Sequence, residues 1–270
     1  MTSAIVVGSG PNGLAGAARL AMAGLDVTVL EAADTIGGGV RSGEMIVPGL
    51  LHDHCSAFHP IAAASPFLKD LDLAGHGLRW LQPEIDCVHP LDDGSAGAFQ
   101  RSMDRTVEGL GSDGPRWRRL FGASAARLDR VLADATKPVL RIPRHPVALA
   151  RFGAPAMLPA TVLARIFTTA QARALWAGVA AHAFHPLDRP TTSVVGSMLV
   201  AAGHAEGWVV AEGGSQSIAT ALASIVGEHG GRIETGQRVT SLEQLPPADV
   251  VLLDLAPSAA ADLLGHRLPA

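Results

Sequence analysis

The first 31 residues contain two apolar runs separated by a stretch with helical spacing. Residues 4–7 (AIVV) form the first run, an Ala-rich stretch follows, and residues 26–30 (DVTVL) form the second. Short apolar runs bounded by glycines are typical of buried strands, and apolar positions spaced by three or four are typical of a helix. The pattern therefore predicts a strand, a tight turn, a helix and a second strand.

Three glycines occupy the predicted turn: Gly8, Gly10 and Gly13. In a dinucleotide-binding turn, the first glycine permits the turn, the second lets the backbone approach a pyrophosphate, and the third lets the helix pack closely on the strand. Pro11 and Asn12 stand at the helix start, where free N–H groups and the positive end of the helix dipole attract phosphate. We therefore predict that these five residues bind a pyrophosphate.

Glu31 ends the second strand, 23 residues after Gly8. A carboxylate at this position accepts hydrogen bonds from an adenosine ribose and repels a 2′-phosphate. The same glycine spacing recurs at residues 109–114, but that copy does not follow a buried strand and runs into Pro115. We interpret the second copy as a loop between helices, and the first as a site for a dinucleotide with an unphosphorylated ribose.

A glycine doublet, Gly37 and Gly38, follows Glu31, and Arg41 comes shortly after it. A nicotinamide dehydrogenase does not require a doublet here, whereas this stretch resembles the FAD-binding motif of the glutathione-reductase-like flavoproteins. The doublet would let the chain pass close to the cofactor, and Arg41 could reach its phosphates. The alternative is an ordinary glycine loop with a solvated arginine.

Composition narrows the class of protein. Hydrophobic residues are 48% and charged residues 17% of the 270 residues, which excludes a disordered chain. The net charge is −4 without a basic tail, so no nucleic-acid partner is predicted. The two cysteines form no CxxC motif, which excludes dithiol chemistry. The absence of a signal-like start or a membrane-length apolar run predicts a cytoplasmic protein.

The pattern changes after Pro90 and changes back near residue 207. Residues 104–204 have helical spacing broken by prolines, and a helix is predicted at residues 113–135 with Ser112 as its N-cap. The αβ pattern then returns, with a predicted helix from Ser215 to residue 228. Three further strands are predicted at residues 232–235, 238–242 and 249–253.

This organisation predicts an α/β fold with a discontinuous, Rossmann-like FAD-binding domain and a mostly helical substrate domain inserted into it. The FAD-binding domain would consist of residues 1–100 and 207–270, and the insert of residues 101–206.

The whole pattern resembles one family. GSGPNGL, EAADTIGGGVRS, HDHCSAFHP, the helical insert and the returning GGSQSIATAL…GGRIETGQRV are similar to the phytoene desaturase-like FAD-dependent oxidoreductases, relatives of the flavin amine oxidases. The resemblance implies FAD as cofactor and the two-electron oxidation, or flavin-assisted isomerisation, of an apolar small molecule. It also implies that Val239 offers a backbone contact to adenine.

Two features depart from the family pattern. Gly39 stands where the family often has an arginine, which leaves Arg41 as the expected phosphate contact. The family also continues for about as many residues again and closes the flavin pocket with a second FAD motif. Two alternatives therefore stay open: a remnant or half of a split flavoprotein that acts through a partner chain, and an NAD-dependent dehydrogenase.

The remaining polar groups assign no catalytic residue. The densest cluster consists of His52, Asp53, His54, Cys55 and His59. A zinc site would need ligands that converge tetrahedrally, whereas the resemblance places this loop beside the substrate end of the flavin, so no metal is predicted. His182 and His185 are predicted to pack or to line a cavity.

The helical insert is basic and apolar, with no acidic residue between Asp134 and Asp188. This composition predicts peripheral contact with an anionic membrane through Arg141, Arg144 and Arg151. The alternative is a solvated cap whose apolar faces close its own core.

Overall fold

The fold is that of a computed structural model, which describes residues 2–138 and 140–267. The chain forms two compact units, each assembled from separate segments of the sequence. The first consists of described residues 2–57, 72–80 and 210–267, and the second of those between 58 and 71 and between 81 and 209.

The strands in chain order are β1 Ser3–Val7, β2 Asp26–Leu30, β3 Ser42–Glu44, β4 Leu51–Asp53, β5 Trp80–Leu81, β6 Cys87–Pro90, β7 Ala96–Phe99, β8 Val210–Ala211, β9 Arg232–Glu234 and β10 Val250–Leu253. The α-helices are α1 Pro11–Met22, α2 Pro60–Ala64, α3 Pro66–Lys69, α4 Met103–Gly109, α5 Gly114–Ala125, α6 Leu128–Ala135, α7 Pro146–Ala156, α8 Ala160–Ala164, α9 Ala170–Ala180, α10 Ser193–Glu206, α11 Gln216–Glu228 and α12 Pro257–Leu264.

The first unit contains a four-stranded parallel sheet with strand order β10-β1-β2-β9. In β1, Ile5 stands opposite Thr28 of β2 on one side and opposite Val251 of β10 on the other. β9 pairs with the other edge of β2. The predicted α/β fold class is confirmed. Because the strands are parallel, their carboxyl ends meet at one edge of the sheet.

Two helices, α1 and α11, pack against each other, and α1 also contacts β1 and β2. Helix α1 buries Leu14, Ala17 and Ala18, and α11 buries Ile218 and Leu222. The small alanine side chains of α1 let its backbone lie close to the sheet. The apolar run of β1 is buried from Ala4 onward because both of its edges are paired within the sheet.

The second unit is mostly helical and has its own aromatic core. Trp117 and Phe121 of α5 pack with Phe167, with Trp176 of α9 and with Phe99 of β7. The antiparallel hairpin of β6 and β7 contacts α9. Among residues 2–138 and 140–267, no helix combines the length and apolar character needed to cross a membrane.

The division into units differs from the predicted domains at the first boundary. Residues 58–71 and the hairpin of β6 and β7 fall within predicted segment 1–100, but they belong to the helical unit. The physical reason is packing, because α2 contacts α10 and the hairpin contacts α9. The chain returns to the first unit at residue 210, close to the predicted position.

The predicted strand at residues 238–242 is wrong. After β9, the N–H of Gly236 donates to the carbonyl of Ala33 at 2.9 Å, and that of Gln237 donates to the carbonyl of Glu31 at 2.7 Å. These bonds carry the chain across the end of β2 rather than alongside a strand. The segment is therefore irregular up to a short 3₁₀ turn at Leu242–Gln244.

The helix predicted from residue 113 to residue 135 is two helices, α5 and α6. Helix α5 packs into the aromatic core, whereas α6 places Leu132 and Val131 in two other buried clusters. The chain changes direction between them to reach these clusters. Ser112 does not cap α5, because it lies inside the 3₁₀ turn Gly111–Asp113. That turn connects α4 to α5, so the second glycine copy is indeed a loop between helices.

Candidate functional site

A cavity of about 520 Å³ opens at the carboxyl edge of the parallel sheet. Its walls come from the turn after β1, the end of β2, and the segments that follow β9 and β10. β1 has β2 on one side and β10 on the other, and a crevice at such a switch point is where open α/β sheets bind ligands. Of the predicted site residues, the lining includes Gly8, Gly10, Pro11, Glu31, Gly38, Arg41 and Val239, but not Asn12, Gly13 or Gly37.

Glu31 is held in the cavity wall by its own chain. Ser9 donates to Oε2 from its N–H at 2.9 Å and its Oγ at 2.5 Å, and the N–H of Ala33 donates to Oε1 at 2.8 Å. Burial opposes ionisation, but the bonds from Ser9 and Ala33, helped by the charge of Arg41, outweigh it and lower the pKa of Glu31. A carboxylate offers about four acceptor positions. Oε1 therefore keeps one for a ligand hydroxyl.

The glycine turn is tightly packed. Gly8 has φ +102°, a left-handed conformation that favours glycine. A methyl group at Gly13 would stand 2.4 Å from the carbonyl oxygen of Gly8, so α1 approaches the turn as closely as backbone allows. A methyl group at Gly10 would stand 2.5 Å from Oδ2 of Asp254. The carboxylate of Asp254 therefore lies directly against this turn.

The glycine doublet packs on the same turn. Gly37 and Gly38 have φ +115° and +51°, and the N–H of Gly37 donates to the carbonyl of Ser9 at 2.9 Å. A methyl group at Gly38 would stand 3.0 Å from Cα of Gly10. The doublet thus lets two loops meet backbone to backbone, and it brings Arg41 to the cavity.

The side chain of Arg41 contains a hydrogen-bond donor that has no acceptor within the described residues. Its Nε is buried and donates no hydrogen bond within the described residues, while its side chain lines the cavity. A buried polar group without a partner is costly and uncommon. The Nη groups of Arg41 likewise donate no hydrogen bond within the described residues, so an anion in the cavity would give this guanidinium a partner.

Val239 lies on the side of the cavity beyond Glu31. Within residues 2–138 and 140–267, neither its backbone N–H nor its carbonyl forms a hydrogen bond. Because the predicted strand 238–242 does not form, both groups stay available to a ligand that reaches this wall.

The polar cluster of the sequence is divided between the two units. His52, Asp53, His54 and Cys55 belong to the first unit and His59 to the second. Asp53 accepts hydrogen bonds from Oγ of Ser42 at 2.6 Å and from the N–H of Ser215 at 2.7 Å, a structural role. No group of three or more histidines, cysteines or acids within the described chain could hold a metal ion.

Two cavity residues are absent from the sequence-based set. Ser9 orients Glu31 through two hydrogen bonds. Its position between Gly8 and Gly10 is the feature of the sequence that could have identified it. Asp254 follows β10 directly, as Glu31 follows β2. A polar residue directly after an apolar predicted strand was the signal that would have identified it.

These features define a dinucleotide-binding domain of the Rossmann class. The chain belongs to the family described as flavin containing amine oxidoreductase, which matches residues 12–262. The resemblance drawn from the sequence is confirmed. FAD is the cofactor, and the family consists of FAD-dependent oxidoreductases.

Two curated relatives and one solved structure illustrate the similarity. The hydroxyneurosporene desaturase of Cereibacter sphaeroides is 29% identical over 255 residues, which are 88% of this chain and 50% of the desaturase. A limonene dehydrogenase subunit of Castellaniella defragrans is 28% identical over 141 residues, 50% of this chain and 25% of the dehydrogenase subunit. An oxidoreductase from Methanosarcina mazei has a TM-score of 0.67 and 19% identity, with 99% of this chain and 62% of the other covered. This chain thus spans half or less of the length of its curated relatives.

Proposed function

We propose that these 270 residues form the ADP-binding part of an FAD-dependent enzyme that oxidises an apolar small molecule by two electrons. The observation that carries the proposal is the presence, in one cavity, of ionised Glu31 and of Arg41, whose guanidinium donates no hydrogen bond within the described residues. An acceptor and a cationic donor suit the ribose and the phosphates of ADP. Membership of a flavin family supports FAD as the source of that ADP group.

Each part of the ADP group has a partner in this proposal. Oε1 of Glu31 accepts a ribose hydroxyl, Arg41 binds a phosphate oxygen, and the backbone of Val239 binds the edge of adenine. The N-terminus of α1 faces the pyrophosphate, where its free N–H groups and dipole favour negative charge. The other predicted residues shape or line this turn: Gly8, Gly10, Pro11, Asn12, Gly13, Gly37 and Gly38.

The oxidising chemistry belongs to the cofactor, because bound FAD accepts the two electrons. The net change proposed is the loss of two hydrogen atoms from the substrate with reduction of the flavin. The names of the two curated relatives, a desaturase and a dehydrogenase subunit, support hydrogen removal. No catalytic residue of this chain is assigned.

The flavin ring is enclosed, in this proposal, by protein outside the 270 residues, either further along the same polypeptide or on a partner chain. Every contact assigned above falls on adenine, ribose or pyrophosphate. The relatives that match are about twice as long or longer, which agrees with a further ring-binding part. An enclosed ring has dry, preorganised surroundings, which electrostatic catalysis needs.

The second unit is proposed to touch an anionic membrane, from which an apolar substrate could be collected. Leu140 is 100% exposed and Ile142 is 92% exposed, and Val147 is also exposed. The basic residues Arg144 and Arg151 are exposed on the same segment. Exposed apolar side chains beside cationic ones are the arrangement that binds the headgroup region.

Arg141 has a different role from the one predicted. Its Nη2 donates to Oδ1 of the buried Asp134 at 2.8 Å, so this arginine secures the segment. The backbone N–H groups of Arg144 and His145 donate to the same carboxylate at 2.9 and 2.7 Å. The proposed membrane contact therefore depends on Arg144 and Arg151.

Isothermal titration of the purified chain with ADP, FAD, FMN and NAD⁺ tests the proposed cofactor site. We expect ADP and FAD to bind, and FMN, which lacks the ADP group, not to bind. NAD⁺ should bind no more tightly than ADP because only its ADP portion finds partners. Arg41→Gln should weaken ADP and FAD alike, whereas Arg19→Gln, at an exposed position of α1, should change neither.

Binding of FMN as tight as that of FAD, or no binding of ADP and FAD, would contradict the assigned site. Tighter binding of NAD⁺ than of FAD would favour the nicotinamide dehydrogenase alternative. To measure the oxidation itself, apolar substrates are added and the loss of visible flavin absorbance is recorded. We expect that loss only when the protein that supplies the ring-binding part is expressed with the chain.

A further inference from the structure

Asp254 occupies, at the end of β10, the position that Glu31 occupies at the end of β2. Its N–H donates to the carbonyl of Val7 at 2.8 Å, which fixes its backbone beside β1. Its side chain lines the cavity and lies against Gly10. Within the described residues, this carboxylate accepts no hydrogen bond and forms no ion pair. The function described above gives it no role.

The carboxylate of Asp254 is only half-buried, and it can bind a ligand in the cavity only through a donor group of that ligand. A carboxylate is an acceptor only, and a pyrophosphate likewise offers only acceptors and negative charge. Asp254 therefore gains nothing from the phosphates that the neighbouring turn attracts. A hydroxyl group of the ligand, adjacent to the pyrophosphate, would satisfy it.

The strand order identifies which hydroxyl that is. Along the carboxyl edge of the sheet, Val239 follows β9, Glu31 follows β2, the glycine turn follows β1, and Asp254 follows β10. The first three positions are assigned to adenine, ribose and pyrophosphate. The next part of FAD beyond the pyrophosphate is the ribityl chain, which carries hydroxyl groups.

We propose that Asp254 accepts a hydrogen bond from a ribityl hydroxyl of FAD and so fixes the direction in which the flavin leaves the cavity. The inference rests on the proposed function, because it requires the ADP group to lie as assigned. It adds a contact beyond the ADP half.

Three ligands of increasing length separate the possibilities: ADP, ADP-ribitol, which is FAD without its ring, and FAD. In titrations of Asp254→Ala, the affinities for ADP-ribitol and FAD should fall roughly tenfold, the typical effect of losing a hydrogen bond to a charged group. The affinity for ADP should stay unchanged or rise, because a negative charge beside the pyrophosphate is gone. Asp254→Asn, which keeps one acceptor oxygen, should lose less affinity for the two longer ligands.

Two further variants serve as controls. Glu31→Gln should weaken all three ligands by the same factor, because all contain the adenosine ribose. Asp262→Asn removes the same charge from an exposed position of α12 and should change no affinity. Thermal melting of each variant shows whether it is folded.

An equal effect of Asp254→Ala on all three ligands would overturn the ribityl contact. Weakening of FAD without weakening of ADP-ribitol would assign Asp254 to the ring instead and would also overturn it. Failure of the parent chain to bind ADP or FAD would contradict the proposed function itself, which is a separate outcome.

Discussion

At the scale of single residues, the ribose side of the cavity is organised by the chain itself. Ser9 and Ala33 together make three hydrogen bonds to Glu31. All three donors require an acceptor, so they hold the side chain as a carboxylate and fix its direction. Such preorganisation lowers the cost of ordering groups when a ligand binds.

Glu31→Gln should therefore weaken ADP binding by about 1.5–3 kcal/mol, the typical contribution of a hydrogen bond to a charged group. Gln keeps the shape but places an NH₂ group where donors from Ser9 or Ala33 already point. Discrimination between AMP and 2′,5′-ADP, which differ only in the 2′-phosphate, should also fall because the repelling charge is lost. Titration with all three ligands measures this, and Glu234→Gln, at the exposed end of β9, is the control. Equal affinities of variant and parent would remove the ribose assignment.

Gly13→Ala should destabilise the protein more than Gly10→Ala. At Gly13 the new methyl group meets the carbonyl oxygen of Gly8, which is backbone and cannot move alone, whereas at Gly10 it meets the end of the Asp254 side chain. Overpacking of this kind typically costs about 1–3 kcal/mol. Chemical denaturation measures the difference, with Gly153→Ala, which has open space around it, as the control. A larger loss at Gly10 would contradict this account.

The sequence could supply the residues of the cavity that belong to a motif with fixed spacing. Gly8, Gly10 and Glu31 were found because turn, helix and strand impose their positions. The packing of Gly38 on Gly10, the donor role of Ser9 and the position of Asp254 depend on contacts between distant segments. Spacing along the chain does not encode such contacts.

At the scale of elements, the segment before α7 presents exposed apolar side chains while Asp134 holds its backbone. Burial opposes ionisation of Asp134, but hydrogen bonds from Arg144, His145 and Arg141 outweigh it and lower its pKa. These hydrogen bonds hold the backbone of the segment in place, and the side chains of Leu140 and Ile142 are exposed to solvent. A fixed, apolar, basic segment is suited to a surface that is apolar beneath an anionic layer.

The double substitution Arg144→Gln with Arg151→Gln should weaken binding to anionic vesicles roughly thirtyfold at low salt, because each basic residue near such a surface contributes about 1 kcal/mol. Ile142→Asp should weaken it as well. Co-sedimentation with anionic and neutral liposomes measures the partition, and Arg19→Gln, which removes one positive charge from an exposed position of α1, is the control. If the parent protein binds anionic and neutral lipid equally, the membrane proposal is wrong. The exposed apolar side chains would then be candidates for contact with a protein partner.

Elements were predictable where the local pattern agrees with the packing. The runs of β1 and β2 are buried between neighbouring strands, so their apolar character identifies them. The stretch 238–242 has strand-like alternation. It forms no strand because the hydrogen bonds of Gly236 and Gln237 direct the chain across the end of β2, where no strand is available to pair with it. The sequence predicts α5 and α6 as one helix because the apolar spacing continues from one to the other. In the structure the two helices pack into different buried clusters.

At the scale of the whole molecule, two buried groups in the second unit make stability depend on pH. Burial lowers the pKa of His204 to about 4, and its Nε2 accepts a hydrogen bond from Nε1 of Trp117 at 2.9 Å. For Asp113, burial opposes ionisation, but four hydrogen bonds from Thr169 and Thr168 lower its pKa to about 2. Both groups favour the unfolded state in acid, in different ranges of pH.

Stability should be fully present above pH 6.5 and should fall, as pH decreases towards 4, by about 1.4 kcal/mol per unit from His204, because the unfolded state binds the proton first. Asp113 adds a second loss as pH falls from 3.8 towards 2. Denaturation at a series of pH values measures both ranges. His204→Gln should reduce the slope in the first range, to which His89 also contributes because burial lowers its pKa, and His185→Gln, at an exposed position, should not change it. An unchanged slope in His204→Gln would contradict the assignment.

The two-part organisation was visible in the sequence as a change from αβ to helical pattern and back. The pattern changes abruptly near residue 207, and the chain re-enters the first unit at residue 210. Residues 58–71 and the hairpin of β6 and β7 show no such change, although they join the helical unit through contacts with α10 and α9. Only packing distinguishes these segments from the preceding domain.

The position of β10 beside β1 has a consequence for the order of folding. Ala4 pairs with Val250, so β1 gains its second neighbouring strand only after residues 250–253 have been synthesised. The helical unit, whose residues end at 209, leaves the ribosome before that pairing can form. Contacts of large sequence separation are also the slower ones to form. We therefore expect the helical unit to be able to fold during synthesis before β10 pairs with β1 and completes the cavity at the sheet edge.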